Sequence, residues 1–116
     1  MHEFSLMSSV LATAEAAARE AQAFKITKIT LQIGSFSEVL PEAMEFAHAA
    51  LTPGTLAAGS ALVIDIVEAR SRCLICGLEY HHDRYLRSCP ACGSLACELL
   101  SGRELSIESI EVEDEN

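Results

Sequence analysis

Tryptophan is absent from this chain, and aromatic residues together make up only 5% of it. That scarcity leaves no interleaved platforms on which the bases of a single-stranded nucleic acid could stack. Cations are scarce too: eight lysines and arginines face seventeen aspartates and glutamates, for a formal net charge of −9. A protein that binds nucleic acid by neutralising phosphates needs the opposite balance. No apolar run approaches the roughly 18 residues that a membrane-spanning helix requires, so no membrane insertion is expected. The first residues are acidic and carry no signal-peptide pattern, which points away from export. The marks of an enzyme are equally missing. There are no paired carboxylates set for acid–base work, no nucleophile–histidine arrangement and no glycine-rich loop to cradle phosphate.

Half of the 116 residues are hydrophobic, enough for one modest domain, or one domain with a stabilised insert, to bury a core. From Ser5 to Ala23 the apolar positions Leu6, Val10, Leu11, Ala14, Ala17, Ala18 and Ala21 recur every three or four residues, predicting an alanine-rich amphipathic helix. The stretch "KITKITLQIG" then alternates as a half-buried strand that stops at Gly34. Pro41 suits the first turn of a second helix, "PEAMEFAHAAL", with Glu42 and Glu45 near its positive end. "ALVIDIVEA" reads as a second strand and "ELSIESIEVE" as a third, whose apolar phase shifts between Ile107 and Ile110. The expected architecture is α+β: two helices packed on a three-stranded sheet, with a cysteine-rich insert between strands two and three. Residues 1–69 and 103–116 would form one domain, and residues 70–102 the other.

The insert holds Cys73, Cys76, Cys89 and Cys92, two Cys-x-x-Cys turns separated by twelve residues. Two such turns meeting head to head offer four thiolates at tetrahedral corners, a zinc-ribbon-like site with no open position for catalysis. An iron site for electron transfer uses similar spacing, but without an attached α/β domain. Gly77 and Gly93 follow the second cysteine of each pair, where a positive φ lets backbone N–H groups turn toward sulfur. So short a segment cannot fold on apolar burial alone, so a structural Zn(II) should supply much of its folding free energy. Paired thiols of this kind, without a disulfide framework, suit a reducing cytoplasm. Cys97 is a spare thiol, read as a small half-buried residue. His81 and His82 fall in the loop as bystanders or a transient extra ligand, and His48 is assigned no role. Five arginines leave residues 70–103 at +2 while the rest of the chain carries −11. Arg70, Arg72, Arg84 and Arg87 therefore keep a second reading open, a zinc-ribbon module for protein or RNA interaction without metal transfer.

The chain opens "MHEFSL". If Met1 keeps a free amine, that amine, the amide nitrogens of His2 and Glu3 and the His2 imidazole can chelate one ion. Four nitrogens in a plane suit Ni(II) or Cu(II), whereas zinc prefers a tetrahedron. This opening, "IGSFSEVLPEAMEFAHAAL", "GTLAAGSALVI", the cysteine pairs with "CPACGS" and the closing "SGRELSIESIEVE" run in order over residues 1–113. Together they resemble the HypA/HybF family of nickel metallochaperones for [NiFe]-hydrogenase maturation. The resemblance implies a nickel site at Met1, His2 and Glu3, with His2 the indispensable side chain, and zinc at Cys73, Cys76, Cys89 and Cys92. It implies Ni(II) as transported cargo rather than a catalytic cofactor. It also implies the GTPase HypB and the hydrogenase large-subunit precursor as partners, with some members serving urease, and in some relatives a nickel-binding histidine from the zinc domain.

Overall fold

The computed structural model of the chain describes residues 2–83 and 88–114. Eight elements follow in order: α1 (His2–Glu20), β1 (Ala23–Gly34), α2 (Pro41–Leu51), β2 (Ala61–Val67), β3 (Ala69–Cys73), β4 (Glu79–His82), β5 (Cys97–Ser101) and β6 (Leu105–Asp114). Two helices and two three-stranded sheets result, one sheet ordered β2-β1-β6 and the other β4-β3-β5. The chain divides into two compact units. One comprises Met1–Leu31, Val39–Asp65 and Ser106–Asn116, the other Gln32–Glu38 and Ile66–Leu105.

In the first unit, α1 turns Met7, Leu11, Ala14 and Ala18 inward, a spacing of three and four residues that makes one buried stripe. Glu3 in the first turn and Arg19 in the last complement the helix dipole. The helix begins at His2 and ends at Glu20, three residues earlier at each end than the apolar repeat predicts. Gln22 adopts a left-handed φ of 61° and closes the end with its N–H on the Arg19 carbonyl, at 3.0 Å. Ala23 already belongs to β1.

Before α2, Leu40 is extended (φ −89°, ψ 125°), as a residue preceding proline prefers, and Pro41 opens the helix. Thr52 stops it, placing both its N–H (3.1 Å) and its hydroxyl (2.8 Å) on the His48 carbonyl. Met44 and Ala47 face inward beside Ile26, Ile29 and Leu31 of the central strand in the buried set. Each fully buried Met, Leu or Ile contributes roughly 2 kcal/mol by leaving water. β6 carries the expected change of phase: Leu105 and Ile107 are half-buried, Glu108 and Ser109 exposed, then Ile110 and Val112 half-buried. Among the described residues, no helix is long and apolar enough to cross a membrane.

The second unit is built on β3, which pairs antiparallel with β4 and β5. Hydrophobic periodicity shows no strand in the cysteine-rich insert of residues 70–102, yet β3, β4 and β5 form between Ala69 and Ser101. The reason lies in what alternates. Arg70 and Arg72 point one way and reach Glu79 and Glu98, the Arg72–Glu98 contact measuring 2.7 Å. The neighbours Ala69, Ser71 and Cys73 are buried. A strand whose inner residues are small, hydroxyl or sulfur-bearing shows no hydrophobic alternation, although its backbone is regular.

Gly34–Phe36 brace both entrances of this unit. The Ser35 N–H bonds the Val67 carbonyl (2.9 Å), its hydroxyl accepts from Ala69 N–H (3.0 Å), and Gly34 N–H bonds the Glu104 carbonyl (2.7 Å). Gly34 passes so close to Gly102 that a Cβ there would lie 2.0 Å from the Gly102 carbonyl oxygen.

Candidate metal centre

The two Cys-x-x-Cys segments fold as near copies. In the first, Cys73 N–H bonds the Leu78 carbonyl (2.8 Å) and Gly77 N–H the Cys73 carbonyl (2.9 Å). In the second, Cys89 N–H bonds the Ser94 carbonyl (2.9 Å) and Gly93 N–H the Cys89 carbonyl (2.8 Å). Both turns need a left-handed residue at the glycine, and Gly77 and Gly93 have φ of 81° and 73°. The turns bring all four sulfurs within 4.8 Å of one another. The Cys73–Cys92 and Cys76–Cys89 sulfurs are each 3.5 Å apart. Four sulfurs at about 2.3 Å from one tetrahedral ion would lie ~3.8 Å apart, so the cluster has the size of a closed zinc site.

The four thiols do not share one electrostatic environment. The N–H groups of Cys76 and Ile75, at 3.4 Å from Cys73 Sγ, hold that thiol at about 6 against the opposing effect of burial. At Cys89 burial raises the pKa, but the N–H groups of Cys92 and Ala91 outweigh it and the shift is downward. Cys92 goes the other way. Ser94 N–H favours its thiolate, yet the bond to Cys73, burial and the remaining thiols push it up to about 12. Two of the four thiols are thus shifted down and two up, because the sulfurs compete for the same hydrogen bonds within one small cluster. A divalent cation held by Cys73, Cys76, Cys89 and Cys92 would remove that competition and favour the thiolate at all four.

The cysteines sit on a small core of their own. Cys73, Cys89 and Tyr80 are buried together, and Cys97 packs against them opposite Cys73 in the β3–β5 register. The Tyr80 hydroxyl donates to Cys97 Sγ at 2.8 Å, and that bond, followed by burial, raises the tyrosine pKa. Cys97 is thus the half-buried spare that the sequence suggested. Ser71 and Tyr80 carry no signal in the sequence, because a buried serine and tyrosine inside an irregular apolar pattern become legible only once their partners are known.

His81 and His82, expected in a loop, instead end strand β4 opposite Arg70 and Ala69, and their surroundings differ. His82 donates from Nδ1 to the Asp83 carbonyl (2.8 Å) and, in its neutral form, accepts at Nε2 from the Ser71 hydroxyl (2.7 Å). The Phe36 ring meets it edge-on at 5.3 Å. His82 therefore fixes β4 and has no nitrogen to spare. His81 is exposed beside an open cavity of about 400 Å³ that it shares with Ser35, Glu68, His82 and Asp83. Among the described residues, only the four cysteines form a metal-sized cluster. Arg70 and Arg72 are occupied by Glu79 and Glu98, which weakens the RNA reading; Arg84 and Arg87 lie outside the described residues.

His2 and Glu3 form the first turn of α1, His2 exposed and Glu3 half-buried, while Met1 lies outside the described residues. The leading N–H groups of a helix have no intrahelical acceptor, so the amide nitrogens of His2 and Glu3 are not committed to the helix.

The model of the family described as hydrogenase/urease nickel incorporation, metallochaperone, HypA, matches residues 1–112. A hydrogenase maturation factor HypA from Chlorobium luteolum is 42% identical, with 99% of this chain and 98% of that protein covered. The Geobacter metallireducens factor of the same name is 40% identical over 97% of this chain and all of that one. The solution structure of the nickel metallochaperone HypA from Helicobacter pylori superposes with a TM-score of 0.69 at 25% identity, covering 97% and 98% of the two chains. With this match running over both helices, both sheets and the four-cysteine metal-binding site, the chain belongs to the HypA family of nickel metallochaperones in hydrogenase maturation.

Proposed function

We propose that this chain takes up one Ni(II) ion on Met1, His2 and Glu3 and hands it to the large-subunit precursor of a [NiFe]-hydrogenase, in cooperation with the GTPase HypB in the cytoplasm. Cys73, Cys76, Cys89 and Cys92 hold a structural Zn(II), which supplies charge balance and folding free energy to the second unit. The observation that carries the reading is the exposed His2 imidazole in the opening turn of α1, beside amide nitrogens that helix geometry leaves without partners. Helical dihedrals do not keep three successive nitrogens in one plane, so nickel uptake unwinds the first turn. A site at the end of a helix can open at little cost and exchange its ligands for those of a recipient. Four sulfurs already closed around one ion offer no such exchange position. Copper would bind four nitrogens more tightly than nickel, so selectivity rests on which metal is supplied and which partner docks.

Native mass spectrometry of the intact zinc-loaded chain, with and without Ni(II), tests the proposal. One zinc and one nickel per chain are expected, and His2→Ala should keep the zinc while losing the nickel. Nickel retained by His2→Ala, or nickel bound only as zinc departs, would overturn it.

A further inference from the structure

The outward side of the helix pair carries a feature that metal chemistry does not use. Phe46 lies in the middle of α2 with 67% of its surface exposed. Its ring meets that of Phe4 in α1 edge-to-face, with centroids 5.9 Å apart and planes at 82°. Glu42 stands one helical turn before Phe46 and Glu45 beside it, both exposed; Glu3 precedes Phe4. Among the described residues, none of these three carboxylates is paired with a cation. Nor is a cation close in sequence, since residues 1–18 and 39–65 contain no lysine or arginine. An exposed aromatic pair with acidic residues at neighbouring helix positions is complementary to a partner with an apolar stripe flanked by the opposite charge.

We propose that this face of α1 and α2 docks a cationic amphipathic helix of a partner protein, with an aliphatic side chain of that helix seated on the Phe4–Phe46 pair and its lysines or arginines against Glu3, Glu42 and Glu45. The surface is made of helices, so main-chain pairing with an added strand is not available, and the partner must bind through side chains. An amphipathic helix displays these at three- and four-residue spacing. Exposed Ser8 and Ala12 on α1 are small enough for a second helix to approach. Phe4 is two residues from His2, about 3 Å along the helix axis, so the docked helix lies beside the nickel donors. In that last respect the proposal rests on the carrier reading; the docking face itself does not.

The test uses the full zinc-loaded chain and two synthetic helical peptides of equal length, one of leucine and lysine, the other of leucine and glutamate. The leucine–lysine peptide should bind and shift the amide resonances of Phe4, Glu42 and Phe46, while the leucine–glutamate peptide should not bind. Phe46→Ala, at an exposed position, should weaken binding about tenfold or more and leave Ni(II) uptake unchanged. Combining Glu42→Lys with Glu45→Lys should exchange the preference between the two peptides. His2→Ala should lose nickel and keep peptide binding, so failure of the carrier reading would not pass for failure of this one. Resonance shifts centred instead on Glu111 and Glu113 of β6, or binding indifferent to Phe46→Ala, would overturn the docking face.

Discussion

The four sulfurs and the nitrogen donors proposed at the start of α1 differ in how firmly the backbone around them is fixed. Cys73 and Cys89 are buried, take two N–H contacts each and lie on turns that their own glycines lock. Their ion should therefore exchange slowly. Cys92→Ser removes one thiolate corner, and we expect the chain to lose stoichiometric zinc, read by a colorimetric zinc assay on gel-filtered protein. The glycines rank by a different criterion. At Gly77 a Cβ would meet nothing, and only the left-handed backbone opposes a side chain, so Gly77→Ala should cost about 1–2 kcal/mol. At Gly34 the Cβ would lie 2.0 Å from a backbone oxygen, and Gly34→Ala should cost on the order of 2 kcal/mol or more, because backbone must move. Denaturant unfolding of the two zinc-loaded variants measures the order.

Among the elements, α2 carries a proton-sensitive group. His48 is buried in its last turn with Nε2 2.9 Å from the Ser60 hydroxyl, and burial lowers its pKa below 6.5. The folded state thus favours the neutral ring. The unfolded chain takes up a proton near pH 6.5 while the folded one still resists, so the stabilisation present above 6.5 is lost as pH falls from 6.5 through the lower folded value. The protection factors of the α2 amides, taken relative to the slower intrinsic exchange at lower pH, should fall over that window, and His48→Gln, which can keep a bond to Ser60, should flatten the response. An unchanged profile in the variant would mean that His48 is not the group responsible.

The same scale shows what the sequence made readable. α2 runs from Pro41 to Leu51 as the proline, the glutamates and the apolar spacing indicate. The central strand and β6 follow their alternation, including the change of phase after Ile107. Where hydrophobic periodicity was the only guide, ends slipped: Gln22 turns left-handed within the alanine repeat and cuts α1 short. β3 and β4 show no hydrophobic alternation because their inner faces carry Cys73, Ser71, Tyr80 and His82 in place of aliphatic residues, and β5 opens on Cys97. The four cysteines were legible from spacing alone, since a Cys-x-x-Cys-Gly turn dictates its own local geometry. The bracing of Gly34–Phe36 was not, because it rests on backbone bonds between residues more than thirty positions apart.

The whole molecule joins two units whose stability has different sources, and that difference is measurable. The first buries long aliphatic side chains on two helices, whereas the second has a core of Cys73, Tyr80 and Cys89 and keeps Leu74, Ile75 and Leu95 mostly exposed. Stripping the metal with a chelator should leave the helical far-ultraviolet signal of α1 and α2 in place while protection of the β3–β5 amides collapses. Simultaneous loss of both would show that the first unit depends on the ion as well. Charge is uneven along the chain: residues 70–103 carry +2 and the remaining residues −11. An acidic body favours cations and basic partners through its long-range field, an effect that salt should weaken. Nickel K-edge X-ray absorption on the zinc-loaded native chain tests the central claim most directly. The account predicts a planar shell of four nitrogen donors and no sulfur, replaced in His2→Ala by weak, oxygen-rich coordination. Sulfur in the nickel shell, or a planar spectrum that survives His2→Ala, would contradict it.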